Sequence, residues 1–75
     1  MTIRVVCYAG HKGDERPVRF EVGAKWLDVE EVIDRWYEPN AAFFSVRADD
    51  HGIYILRHSE RKDRWTLVSF RSPAA

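Results

Sequence analysis

Six short runs rich in β-branched and aromatic residues, each closed by turn residues, fill most of this chain and leave few folds open to it. "VRFEV", residues 18–22, is the clearest. Val18, Phe20 and Val22 fall on one side and Arg19 and Glu21 on the other, as in an antiparallel strand with one wet face. Gly23 and Ala24 mark a tight connection, and "KWLDV" (25–29) reads as the returning strand with Leu27 and Val29 inward. "IRVVCYA" (3–9) precedes this hairpin, across a polar loop at residues 10–17. "AFFSVRA" (42–48), the turn "DDHG", "IYILRH" (53–58), the loop "SERKD" and "RWTLVSFR" (64–71) complete the series. "SPAA", residues 72–75, reads as a disordered tail.

One stretch, "DVEEVIDRWYEPN" (28–40), follows a different rhythm. Val29, Val32, Ile33, Trp36 and Tyr37 recur at i, i+3, i+4, i+7 and i+8, a single helical stripe. Asp28 suits an N-cap, Glu31 stands three residues on, and Pro39 stops the pattern. Two features oppose a helix: the apolar residues are good strand formers, and Glu30–Asp34 and Asp34–Glu38 place like charges at i,i+4. As a strand, neither face is clean unless a bulge sits near Glu30. The periodicity predicts a short helix near residues 29–37.

The fold class expected is therefore mainly β with an α element: a small curled antiparallel sheet or barrel of five to six strands with one short helix. Several strands are apolar on both faces. Phe43 lies opposite Phe44 and Val46, and Ile53 and Ile55 lie opposite Tyr54 and Leu56. Something must cover the second face, either the helix or a second chain, and the helix is the nearer cover.

Seventy-five residues make one domain (1–75) with a thin core, which the aromatic share of 13% helps to fill. The formal net charge is +0, which argues against a strongly basic nucleic-acid module. A lone cysteine, Cys7, forms no internal disulfide, and no apolar run has the length of a membrane span. A cytoplasmic protein is the expectation.

The segments "PVRFEVG", "EEVIDRWYE", "FFSVRADDHGIYILRH" and "DRWTLVSF" carry a pattern made by Pro17, Phe20, Gly23, Val32, Ile33, Asp34, Trp36, Gly52, Tyr54, Leu56, Trp65 and Leu67. In this the chain resembles, over most of its length after residue 16, a small bacterial domain family. Similar segments occur fused to proteins that look like error-prone, Y-family DNA polymerases. The resemblance implies a link to DNA damage tolerance and brings no assigned catalytic residues.

Read for chemistry, the residues offer little. Asp28, Glu30, Glu31, Asp34 and Glu38 crowd one segment and are best read as a solvated face. Cys7, His11, His51 and His58 are metal ligands by type, but their spacing suits no structural site, so no metal is expected. Cys7 sits between Val6 and Tyr8 and reads as a buried, inert thiol. No nucleophile–base–orienter set and no cofactor fingerprint is present, so neither an enzyme nor a cofactor is expected.

Two surface hints remain. Arg57, His58, Arg61, Lys62, Arg64 and Trp65 bracket one hairpin and mix cations with a ring, as single-strand binders do. Trp26, Tyr37 and Phe43 are rings in excess of the core's needs, and exposed rings mark protein contacts. The leading expectation is a binding or adaptor domain that acts through an unknown protein partner or self-association. The alternative is a nucleic-acid-binding accessory module using the hairpin near residues 57–65.

Overall fold

A computed structural model describes residues 1–9 and 15–72 of the chain. Six strands run through them: β1 (Thr2–Ala9), β2 (Glu15–Val22), β3 (Lys25–Glu38), β4 (Ala41–Ala48), β5 (Ile53–Ser59) and β6 (Arg64–Arg71). Each pairs antiparallel with the next, and β6 returns to β1, so the sheet closes into a barrel. The alternating runs follow their period except at Val18, expected on the face of Phe20 and found as the extra residue of a β2 bulge between Pro17 and Arg19. Phe20, Leu27, Phe44, Val46, Tyr54 and Leu56 are buried and join one core, while Arg19, Glu21 and Arg47 stand outside. The predicted loop at 10–17 is shorter at its C-terminal end. Residues 15–17 belong to β2, with Pro17 fully buried, and 10–14 lie outside the described residues, as do 73–75 of the predicted tail.

The short helix near residues 29–37 is absent. β3 is a single strand of 14 residues. Its register with β4 slips twice: Val29 pairs with Ala48 and Glu31 with Arg47, then Val32 with Val46 and Asp34 with Ser45. Glu30 and Ile33 are thus the extra residues of two bulges, three positions apart. A bulge shifts which face the following residues occupy. The residues on the inner side become Val29, Val32, Arg35 and Tyr37, so two bulges convert a period of two into steps of three that imitate a helical stripe. Trp36, counted within that stripe, pairs with Phe43 on the outer wall. Ile33 is turned out to water, 47% exposed.

Turn chemistry follows the sequence closely. Gly23, at φ 64°, opens a loop between Val22 and Lys25, the glycine-first arrangement of a type II′ hairpin. Pro39 precedes Asn40 at φ 71° and starts a turn into β4, where it was expected to end a helix. At the 49–52 turn, the Asp50 carboxylate accepts the Gly52 N–H at 2.8 Å and the Tyr54 hydroxyl at 2.6 Å. Tyr54 in turn packs edge-on to Phe20 at 4.9 Å and against Phe70 at 4.9 Å, closing this end of the barrel. Burial and then the Asp50 hydrogen bond and charge push the Tyr54 phenol far above its usual range. For Asp50, burial pushes the pKa up, but the bonds from Tyr54 and Gly52 and the charge of Lys25 outweigh it, and the net direction is down.

Two predictions come from this architecture. Ile33→Lys should stay within about 0.5 kcal/mol of the parent in urea unfolding, while Val32→Lys should cost about 2 kcal/mol or more; equal losses would sink the bulged strand. Asp50→Ala should cost about 1–3 kcal/mol, because it orphans the Tyr54 hydroxyl and the Gly52 N–H. The lowered Asp50 pKa gives stability that is present above pH about 4 and lost as pH falls through the folded value; the raised Tyr54 pKa gives stability present below pH about 10 and lost above it. Unfolding measured against pH should show both limbs shallower in Asp50→Ala.

Candidate functional site

The barrel is not closed along its whole height. β1 pairs with β6 only at Thr2–Thr66 and Ile3–Trp65, backed by the Leu67 N–H donating to the Met1 carbonyl at 2.9 Å. β2 pairs with β3 only between Arg19–Val22 and Lys25–Asp28. Among the described residues, the far half of the β1–β2 hairpin, from Cys7–Pro17 to Ala9–Glu15, therefore has a strand neighbour on neither outer side. A cleft of about 220 Å³ lies there, with Cys7 and Arg16 of this hairpin on one wall.

The opposite wall is built by alternation. Phe44, Trp65 and His58 face inward on β4, β6 and β5, and Tyr37 enters from the end of β3. His58 and Trp65 are cross-strand partners, and their rings stack at 4.6 Å and 18°. Phe44 meets the other ring system of this wall at 5.6 Å from Trp65. His58 Nε2 lies 2.9 Å from Asp63 Oδ1; a carboxylate only accepts, so Nε2 carries the hydrogen and the stack is held in place. The Glu60 N–H donates to the Asn40 carbonyl at 3.2 Å, which ties the β5–β6 turn to the β3–β4 turn at the rim. Cys7 is half-buried at the cleft and is not a core thiol as its sequence neighbours suggested.

The hairpin residues singled out by sequence are divided among four places. His58 and Trp65 enter the cleft. Lys62 and Arg64 line, with Trp65 again, a broader outer groove of about 640 Å³ beside Thr2–Val6 and Trp26. Arg57 points to the outer wall, its guanidinium 6.0 Å from the Phe43 ring, and Arg61 is exposed in the turn. The three rings proposed for protein contact are likewise apart. Trp26 lies beneath Arg19 at 5.3 Å, Tyr37 stands at the cleft with 64% exposure, and Phe43 stacks on Trp36 at 5.3 Å and 5°.

No family model matches the chain, and no curated protein or solved structure matches it. Its geometry alone must carry the functional reading. Among the described residues no three of His, Cys, Asp and Glu come together as metal ligands; His11 lies outside them. No helix of the described residues is long and apolar enough to cross a membrane. The acids of β3 are exposed, and several meet arginines across the strands: Asp28 meets Arg19 at 3.0 Å and Glu31 meets Arg47 at 2.7 Å. Such exposed pairs contribute about 0.2–1 kcal/mol each.

The register also composes an outer face that sequence reading missed. Trp36, Phe43, Arg57 and Thr66 form one row across β3–β6. The next row is Asp34, Ser45, Ile55 and Ser69, and below it run Glu31, Arg47, Ile53 and Arg71. This wall carries the half-buried Trp36–Phe43 stack with Ile55 in the next row, the Arg57 guanidinium lying beside Phe43 and Asp34 at the β3 end of the middle row. Val68, the extra residue of a bulge in β6, adds to it with 52% exposure. Placing Trp36 outside required knowing the β3 bulges.

The short seam makes Trp65 a closure residue. Trp65→Ala should cost about 2 kcal/mol, less than the 3–5 of a fully buried ring, and should speed amide hydrogen exchange at Thr2–Val5 more than at β4. Uniform acceleration across all strands would show that the seam is no weaker than the rest.

Proposed function

We propose that this barrel is a binding or adaptor module which docks through the outer wall of β3–β5 onto another protein or a second copy of itself. One observation carries the reading. Two large rings, Trp36 and Phe43, lie flat on each other at 5° on the outside of a barrel wall, and no helix of the described residues covers them. A wall that is apolar on both sides needs a second cover, and with the helix gone that role passes to a partner. Aromatic rings set beside an arginine are also what protein interfaces are enriched in, and Trp, Tyr and Arg dominate their hot spots. The likeness to a domain fused to polymerase-like proteins agrees with an adaptor role, in a setting of DNA damage tolerance. A cytoplasmic location belongs to the same reading.

The test is the mass of the protein in solution against concentration, by sedimentation equilibrium, for the parent and for Phe43→Glu and Ile55→Lys. Self-association weakened about 30-fold or more by either change, equivalent to a hot-spot loss of about 2 kcal/mol, supports the outer wall. A monomeric parent directs the same variants to affinity capture of a partner, and retention of every captured protein by Phe43→Glu would end the proposal.

A further inference from the structure

The cleft at the open end of the seam is separate from the outer wall and has a chemistry of its own. We infer that it binds a nucleobase carrying a phosphate, guanine in preference to the other bases, with the ring against Tyr37 and Trp65 and the phosphate toward the 60–64 turn. This inference does not rest on the outer-wall reading.

Size comes first. About 220 Å³ is below the roughly 300–1,000 Å³ that takes a drug-sized ligand and suits one planar ring system. The lining comes next. Tyr37, Phe44 and the His58–Trp65 stack line the cavity, with Phe44 buried and Tyr37 exposed, and stacking of a base on an accessible ring contributes about 1–3 kcal/mol whatever the base. The stack is fixed by the Asp63 contact at 2.9 Å, so a ligand meets a preorganised wall. Tyr37 is 64% exposed and has an open ring face to offer.

Glu60 decides which base. It is the one acidic residue among the described residues lining the cavity, and its backbone is anchored to Asn40 at 3.2 Å. No ion pair engages it among the described residues, unlike Glu21, Asp28 and Glu31 on the outer walls. A carboxylate is an acceptor with two oxygens, and it is matched by an edge with two adjacent donors. The Watson–Crick edge of guanine offers N1–H and the N2 amino group side by side. Adenine and cytosine each offer one amino donor beside a ring acceptor, and uracil offers one N–H between two carbonyls. Arg16 lines the cavity, Arg61 follows Glu60 in the turn and is exposed, and Lys62 and Arg64 line the outer groove that shares Trp65 with the cleft, so a phosphate leaving the cavity past Trp65 runs toward cations. The net charge of +0 limits non-specific attraction and leaves recognition to the cleft.

The same base chemistry occurs in a free nucleotide and in a single strand, and the experiment separates them. Uniformly labelled protein is titrated with GMP, AMP, CMP and UMP, and with eight-nucleotide single-stranded oligomers with and without one guanine, following amide shifts. Guanine ligands should move the amides of Tyr37, Ala42, Phe44 and His58–Trp65 and leave those of Ile53 and Ile55 in place. Glu60→Gln should weaken guanine ligands at least tenfold and bring them level with the other bases. Arg61→Glu with Arg64→Glu should weaken the oligomer more than GMP if a strand is the ligand, with a loss that grows with added salt; equal weakening of both identifies a free nucleotide. The inference is overturned by absence of shifts with every base at millimolar concentration, by a Glu60→Gln variant that keeps its guanine preference, or by shifts confined to the outer wall. Occupation of the same amides by an acidic peptide and by no nucleotide would overturn it too. Both variants change exposed residues, and an unchanged spectrum before titration verifies the fold.

Discussion

Six strands can enclose a core only if the sheet curls hard enough to return to its first strand, and β3 supplies the bend. This strand pairs with β2 along Lys25–Asp28 and with β4 along Val29–Glu38. The change of neighbour coincides with the first bulge, at Glu30, and a bulge increases local twist. Without it, Leu27 and Val32 could not both face one interior: they lie five positions apart, an odd number, and a regular strand would put them on opposite sides. Both contribute to the core, Leu27 at 3% exposure and Val32 packed against it. The thin interior of so short a chain depends on this bend, because it brings Phe20 of the first hairpin against Tyr54 of the later strands.

Most strands were legible because burial on one face writes itself as alternation. Phe20 is placed inward by that signal alone, while for Val46 and Leu56, on strands apolar on both faces, it gives only the residues that share a side; each of the three is 0% exposed. The same signal fails where a bulge changes the parity. With inward residues at Val29, Val32 and Arg35, the spacing of three mimics a helix, and composition was the better witness: β-branched and aromatic residues and like-charge i,i+4 pairs both spoke against it. A second bulge, at Ile33, is what turned Trp36 outward, and no residue type announces it. In β6 the extra residue is Val68, and in β2 it is Val18; these too left no mark in the sequence pattern.

The cleft was legible only in fragments. His58 and Trp65 drew notice because they lie close together in the chain beside several cations. Arg16 does not, and Cys7 reads only as a buried, inert thiol, since both reach the same cavity from the far side of a seam. Which half of a strand keeps its neighbour and which loses it is settled by strand lengths and register in three dimensions. β1 has eight residues and finds partners on β6 for only Thr2 and Ile3. The residues beyond that point are where a wall becomes a mouth.

That incomplete closure couples stability to binding. A fully paired barrel of this size fills its interior with side chains and leaves no room for a ligand. Here one end is shut by the Phe20–Tyr54–Phe70 rings and the Asp50 hydrogen bonds, and the other is left with rings that have neighbours on some sides only. Trp65 belongs to both conditions, since it pairs with Ile3 at the seam and lines the cleft just above it. A ligand resting on Trp65 would restore contacts that the missing strand pairs do not supply, and by mass action would stabilise the closed barrel over any state in which β1 parts from β6. The shortest pairing of the barrel and the cleft beside it thus share one indole, and a change in that ring cannot alter one without the other.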